Sequence, residues 1–224
     1  MKKLSELKNI HKNEDIYVIC SGSSLNWIPN NFFDGKITIG INQVYRRLKT
    51  DYLVRKDPKF INESTLIDSK ILISKHQHGN TAHKLNIING RNNDNVYIYE
   101  HNQNTGRGKI DYNDHENKII VSWSTTTTGI HIAAYLGAKN IILVGHDCGT
   151  INGKLTFDGY YNGINDTPWK NWKEYENWLS NIENQTLDVK GFIQEKYKCN
   201  ILSINPFINF NMEGNTYKNN NFNK

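Results

Sequence analysis

Cysteine is scarce: the 224-residue chain holds three, Cys20, Cys148 and Cys199. An odd count with no Cys-x-x-Cys pair argues against a disulfide framework and against a cysteine-built zinc site. Each cysteine lies in or just beyond a predicted strand, so small buried thiols in a reducing compartment are expected. Long apolar runs are missing too, and none approaches the ~20 residues of a membrane-spanning helix. The opening Met1-Lys2-Lys3-Leu4-Ser5-Glu6-Leu7-Lys8 is too charged for a secretory leader. The expectation is a soluble, cytoplasmic protein. Charge of one sign is nowhere concentrated: Lys+Arg 27 against Asp+Glu 22 leaves +5, with no dense basic run. A nucleic-acid interface is therefore the weaker expectation, and the mild excess suits an anionic small ligand or an acidic surface.

What is present is a series of short apolar strands separated by helical and polar segments. A hydrophobic content of 37% is modest, but the length suffices for one domain with a sizeable core. The stretch 1–15 reads as a polar lead-in or short helix. Ile16-Tyr17-Val18-Ile19-Cys20 is a β-branched and aromatic strand that runs into Ser21-Gly22-Ser23-Ser24-Leu25. Further strands are predicted at 36–41, 51–56, 71–74, 96–99, 119–121, 140–145 and 200–204. Thr125 to Thr128 lead into a helix through Gly129 that closes at Gly137, and a long helix or helix pair covers roughly 169–198. The stretch 100–118 is polar and turn-rich, and the asparagine-rich residues 211–224 are expected to be a disordered tail behind a 1–210 domain.

Strands alternating with helices predict an α/β, Rossmann-like single domain, a mostly parallel sheet with helices on both faces. In such sheets ligands bind beyond the carboxyl ends of the strands, near a topological switch point. The predicted strand ends here are small or polar: Ser21/Gly22/Ser23, Asn42/Gln43, Asp57, Gly145/His146/Asp147 and Asn205. All are expected to converge on one crevice. The Gly22 turn exposes several backbone N–H groups at one point, which favours a phosphate, although such junctions also occur with no ligand.

Several residues carry two readings. Asp147 either caps a loop or accepts ligand hydroxyl groups, and His146 is either a loop-bonded bystander or a general base. The four threonines either cap a helix or line a phosphate site. Asp57 and Asp147, on neighbouring strand ends, could share a Mg²⁺ ion. His76, His78 and His83 invite a metal reading, but in a polar loop solvation is the plainer account. Trp169, Trp172, Tyr175 and Trp178 have helical spacing, which means core or lid packing or, alternatively, a sugar-stacking platform.

Taken together, strand–SGSSL, strand–GINQVY, strand–DP and TTTTGIHIAAYLGAKNIILVGHDCG resemble the bacterial sialyltransferases that use CMP-sialic acid, glycosyltransferase family 42. They also resemble the broader group of flagellin nonulosonic-acid transferases and archaeal 6-hydroxymethylpterin diphosphokinases. The resemblance covers about 16–206. It implies a nucleotide site made of Ser21, Gly22, Ser23 and Ser24 on the phosphate side, with Asn42 and Gln43 at the phosphate and sugar. Asp57 stands where the transferases have Asn-Pro. Thr127, Thr128 and Gly129 match a Thr-Ser-Gly helix start, and Gly145 and Asp147 match a Gly-x-Asp that reaches ribose and base. The family's proline in the first turn is replaced by Ser23. Its histidine base, before the C-terminal helix, has no counterpart after His146, which leaves His146 as the candidate. For the two tyrosines that assist the leaving phosphate, Tyr160 and Tyr161 are the nearest matches.

The resemblance thus implies a transferase moving a nonulosonic acid from a CMP-sugar donor to a glycan or protein acceptor, with no cofactor required. The alternatives are a Mg²⁺-dependent diphosphokinase and a nucleotide-binding module without catalysis. A homo-oligomer is compatible with either enzyme.

Overall fold

The structure, a computed structural model, describes residues 2–55, 68–74, 94–101, 110, 112–113, 118–161, 163, 165 and 169–204. Among the described residues eight strands form one sheet. They are β1 (Lys2–Lys3), β2 (Asp15–Ile19), β3 (Ile37–Ile41), β4 (Tyr52–Arg55), β5 (Lys70–Ser74), β6 (Val96–Tyr99), β7 (Asn140–Val144) and β8 (Asn200–Ile204). Their order is β1-β6-β5-β4-β3-β2-β7-β8, and every neighbouring pair is parallel. This is the α/β parallel sheet that the alternation of elements predicts. Strands buried on both faces need continuous apolar runs, and Ile141-Ile142-Leu143-Val144 is one.

Alternation along β2 divides the core. Ile16 and Val18 pack with Ile39, Ile41 and Val54 under two helices, α1 (Thr125–Tyr135) and α2 (Trp172–Tyr197). Ile19 points the other way, to Leu25, Phe33, Val44, Val144 and Phe157. Among the described residues both α-helices share the first face. Short 3₁₀ turns at Ser23–Trp27 and Asn30–Phe33 help cover the second. Each fully buried Ile or Leu contributes roughly 1.5–3 kcal/mol. Gly129 sets how closely α1 lies on the sheet: a Cβ there would stand 2.6 Å from Ile41 Cδ1 and 3.1 Å from Val18 Cγ1.

Three segments depart from the sequence expectation. The lead-in joins the sheet through β1, buries Leu4 and Leu7, and caps α1. The N–H groups of Asn9, His11 and Asn13 donate to the carbonyls of Tyr135, Leu136 and Gly137, acceptors left over at the helix end. Helix α1 starts at Thr125 because Ser124 Oγ accepts the Thr126 N–H at 3.1 Å. The expected strand at 119–121 is reduced to a single parallel bridge, Lys118 with Glu100 just past β6: the Ile119 N–H donates to Glu100 O at 2.7 Å, but the Ile120 N–H donates to His131 Nδ1 at 2.8 Å instead of to a ladder partner.

Strands β3, β4, β5 and β6 run to one side of β2, and β7 and β8 lie on the other. The order reverses between β2 and β7. All strands being parallel, their carboxyl ends share one edge, with the switch point at its middle.

Candidate functional site

At the switch point the ends of β2 and β7 are tied together. Cys20 N–H donates to Val144 O and Gly22 N–H to Gly145 O, both at 2.7 Å. Gly145 has a φ of 68°, a left-handed conformation natural for glycine. Gly22 is a glycine for want of space. An added Cβ would meet Gly145 O at 2.4 Å and Asp147 Oδ2 at 2.5 Å. The Asp147 carboxylate lies beneath the turn, 3% exposed, and accepts from Ser24 N–H at 2.7 Å and Ser24 Oγ at 2.6 Å. Gly22, Ser24, Gly145 and Asp147 are thus brought together as the sequence implies. Both carboxylate oxygens of Asp147 are nevertheless engaged in shaping the turn.

The end of β3 supplies the next residues. Asn42 adopts a φ of 54°, and its Nδ2 reaches Thr125 Oγ1 at 3.4 Å. Gln43 is buried, and its Oε1 accepts from Arg55 Nη1 at 3.3 Å. Arg55 ends β4 and is 1% exposed, a full positive charge in the interior. Tyr160 is buried there as well. Burial pushes its phenol pKa up, while Arg55, the side chains of Asn42 and Ser21, and the Gln43 backbone partly offset this. A second tyrosine comes from α2: Tyr175 is 7% exposed and has its phenol pushed up by burial, with Ser21 hydrogen bonding opposing. Ser21 thus interacts with tyrosines from two distant parts of the chain. Tyr161 packs edge-on against both rings, at 4.5 Å from Tyr160 and 6.4 Å from Tyr175.

The threonines divide by role. Thr127 Oγ1 is 2.6 Å from Ser122 Oγ and donates to Ser124 O at 2.8 Å, a capping arrangement. Thr126 Oγ1 donates to Cys20 Sγ at 3.4 Å. Burial raises the Cys20 thiol to about 12, which keeps it protonated and inert. Thr125 meets Asn42, and Thr128, one turn further on the same helix face, is fully buried. Gly129 contacts the sheet and belongs to the packing of α1.

His146 follows the β7 end and is 8% exposed, with Nε2 3.5 Å from Cys148 Sγ. Cys148 is in turn close enough to Tyr175 to affect its phenol. Asp147 turns under Ser24, while His146 lies beside Cys148. The tryptophan set forms one packed group. Trp169 stacks on Tyr175 at 5.6 Å, and Trp178 lies 4.8 Å from Trp169 and 4.0 Å from Trp123, whereas Trp172 is 44% exposed.

Among the buried side-chain oxygens with no hydrogen-bond partner among the described residues are Ser23 Oγ in the turn, Asn42 Oδ1 just past β3 and Thr128 Oγ1 on α1. Buried polar atoms are normally paired, so such a group marks a place for a ligand or water. Asp57, Asn205, Pro206, the three histidines of the 76–83 stretch, and residues 211–224 lie outside the described residues. Most of the polar stretch 100–118 does too. Among the described residues no cluster of three His, Cys, Asp or Glu side chains could hold a metal. No described helix is long and apolar enough to cross a membrane.

Sequence reasoning missed Arg55, and it named Thr125 only as one of the four threonines and Tyr175 only as part of an aromatic set. Arg55 reads as one more residue of a strand, yet an arginine ending a buried parallel strand is itself a signal, because charge is seldom buried without a task. Tyr175 hides in an aromatic helix face that packing alone explains.

No family model and no curated protein matches the chain. Solved structures do. The sialyltransferase Cst-I of Campylobacter jejuni superposes with a TM-score of 0.54 at 16% identity, over 87% of this chain and 76% of that one. A variant of the sialyltransferase Cst-II in complex with CMP gives 0.50 at 15% identity, over 87% and 82%. A second Cst-II variant with CMP gives 0.50 at 17% identity, over 93% and 89%. The chain has the fold of these bacterial sialyltransferases.

Proposed function

We propose that the chain is a glycosyltransferase that takes a nonulosonic acid, sialic-acid-like, from a CMP-linked donor. The single observation that carries this reading is the set of unpartnered buried oxygens: Ser23 Oγ in the switch-point turn, Asn42 Oδ1 just past β3 and Thr128 Oγ1 on α1. A nucleotide sugar offers hydroxyl and amino donors for Asn42 Oδ1 and acceptors for the two hydroxyls. The shared fold and the CMP held by the Cst-II variants support a cytidine nucleotide as the donor's leaving group.

In this reading the backbone around Gly22 faces the donor phosphate. The acceptor hydroxyl attacks the anomeric carbon, forming the new glycosidic C–O bond as the bond to the CMP phosphate breaks. The acceptor's proton passes to a base, for which His146 is the proposed residue. In this reading Tyr160 and Tyr175, which both interact with Ser21, hydrogen-bond the departing phosphate, a role for which the family resemblance made Tyr160 and Tyr161 the nearest candidates. With phenols pushed up by burial, both remain protonated donors at neutral pH. The acceptor is a glycan or a protein.

The diphosphokinase reading needs carboxylates free to hold Mg²⁺. Asp147 fits poorly, since Ser24 occupies both of its oxygens and Gly22 closes over it. The two readings separate in a thermal-shift series with CMP, CDP, ATP and GTP, each with and without Mg²⁺. A rise with CMP and CDP, independent of Mg²⁺, is expected, together with release of CMP from CMP-sialic acid. Stabilisation by ATP with Mg²⁺ and none by cytidine nucleotides would overturn the transferase reading.

A further inference from the structure

One short turn grips Tyr160 at both of its ends. The turn is a 3₁₀ segment, Asn42–Arg46, that follows β3 directly. At its start, the Asn42 side chain and the Gln43 backbone interact with the Tyr160 hydroxyl. At its end, Arg46 Nη1 donates to the Tyr160 carbonyl at 2.9 Å. The residues before Tyr160 are held by the turn after β2. Phe157 N–H donates to Ser21 O at 2.9 Å, and Asp158 N–H to Asn26 Oδ1 at 3.0 Å. Tyr160 is therefore tied to the ends of both β2 and β3. Two consecutive arginines on a turn read in sequence as a solvated surface. Here each takes its own backbone acceptor: Arg47 Nη2 donates to Ile28 O at 3.1 Å, while Arg46 reaches 114 positions along the chain to Tyr160. A guanidinium donating to a carbonyl makes a charge-assisted bond, stronger than one between neutral groups.

We infer that Arg46 is a positioning residue for the transfer step: by holding the Tyr160 main chain it keeps the Tyr160 hydroxyl beside Ser21. The inference rests on the nucleotide-sugar reading, with Tyr160 at the departing phosphate, and deepens it. As the bond between the anomeric carbon and the phosphate oxygen breaks, its electron pair stays on that oxygen. The Tyr160 O–H donates a hydrogen bond to the charge gained there and keeps its proton. Because that charge grows only toward the transition state, a displaced hydroxyl lowers turnover rather than donor binding.

The experiment is a double-mutant cycle on CMP release from CMP-sialic acid, comparing the wild type, Arg46→Met, Tyr160→Phe and the double variant. Methionine keeps an apolar stem and removes the donor, and circular dichroism checks that each variant folds. Arg46→Met is expected to lower kcat about 10–100-fold and to leave KM within about threefold of the wild type. In the Tyr160→Phe background the same substitution should change kcat by less than about twofold, because the hydroxyl it positions is already gone. An arginine with a merely structural role would lower kcat by the same factor in both backgrounds, and that result overturns the inference. So does a folded Arg46→Met with wild-type kcat, or one whose loss lies in KM alone. Should Arg46→Met fail to fold, the cycle is run with Arg46→Gln and judged by the same coupling. Tyr160→Phe with wild-type kcat removes Tyr160 from the phosphate, and this inference with it. A wild type that releases no CMP overturns the nucleotide-sugar reading itself.

Discussion

Asp147 and Ser24, 123 positions apart in sequence, are joined by two hydrogen bonds, from the Ser24 N–H at 2.7 Å and its Oγ at 2.6 Å. The pair clamps the turn after β2 onto the end of β7, at the point where the strand order reverses. Replacing Asp147 with Ala leaves the buried Ser24 N–H without its acceptor, a loss of about 1–3 kcal/mol. Thermal melting should show a midpoint several degrees lower, and nucleotide binding should weaken with it. Unchanged melting would mean that the turn holds its shape without the carboxylate.

Gly22 is restricted by space rather than by dihedral angle, since its φ is −62°. Gly22→Ala places a methyl group against Gly145 O and Asp147 Oδ2, at 2.4 and 2.5 Å before relaxation. Neither neighbour can move without breaking the clamp. The expected cost is about 1–3 kcal/mol by chemical denaturation, with loss of CMP binding. An alanine variant as stable as the wild type would contradict the geometry of the turn.

His146→Ala tests the proposed base. Turnover of a CMP-sugar donor should fall roughly 10²–10⁴-fold while CMP affinity stays near that of the wild type. Full turnover in the variant would place the base on another residue.

Tyr160→Phe and Tyr175→Phe each remove one hydroxyl beside Ser21 and leave the aromatic packing in place. Single-turnover rates should drop for both, with Tyr161→Phe closer to the wild type. The opposite ranking would return the role to the adjacent pair 160 and 161.

The buried thiols predict an alkaline limit. In the folded chain Cys20 is raised to about 12 and Cys199 to about 11, against 9.0 for an unperturbed thiol, mainly by burial. Once pH passes 9.0 the unfolded chain releases these protons and the folded chain does not. Their contribution to stability is therefore complete below 9.0 and is lost as pH rises toward 11–12. Denaturation midpoints measured across pH 8 to 11 should decline, and a thiol reagent should label neither cysteine at pH 8 in the native state. Rapid native labelling of Cys20 would contradict its burial.

The parallel sheet was legible in sequence because its signal is local. Ile141 to Val144 is an apolar run, and Ile201 to Ile204 is one broken only by Ser203; their lengths say strand whatever lies beside them. Gly22, Asn42 and Asp147 were legible as strand ends for the same reason: parallel strands deliver all their carboxyl termini to one edge. Which atoms of those residues remain available was not legible. Asp147 carries an acid's pattern whether it binds a ligand or Ser24, and only the approach of β2 to β7 decides between them. Tyr175 sits in a helix whose aromatic spacing suits packing, and its hydroxyl reaches Ser21 only because α2 folds back over the sheet. The sequence sets each residue's chemistry and the direction of its strand. Distances between side chains far apart in the chain follow from how helices and turns pack, and those distances determine which polar atoms are already satisfied and which are left for a ligand.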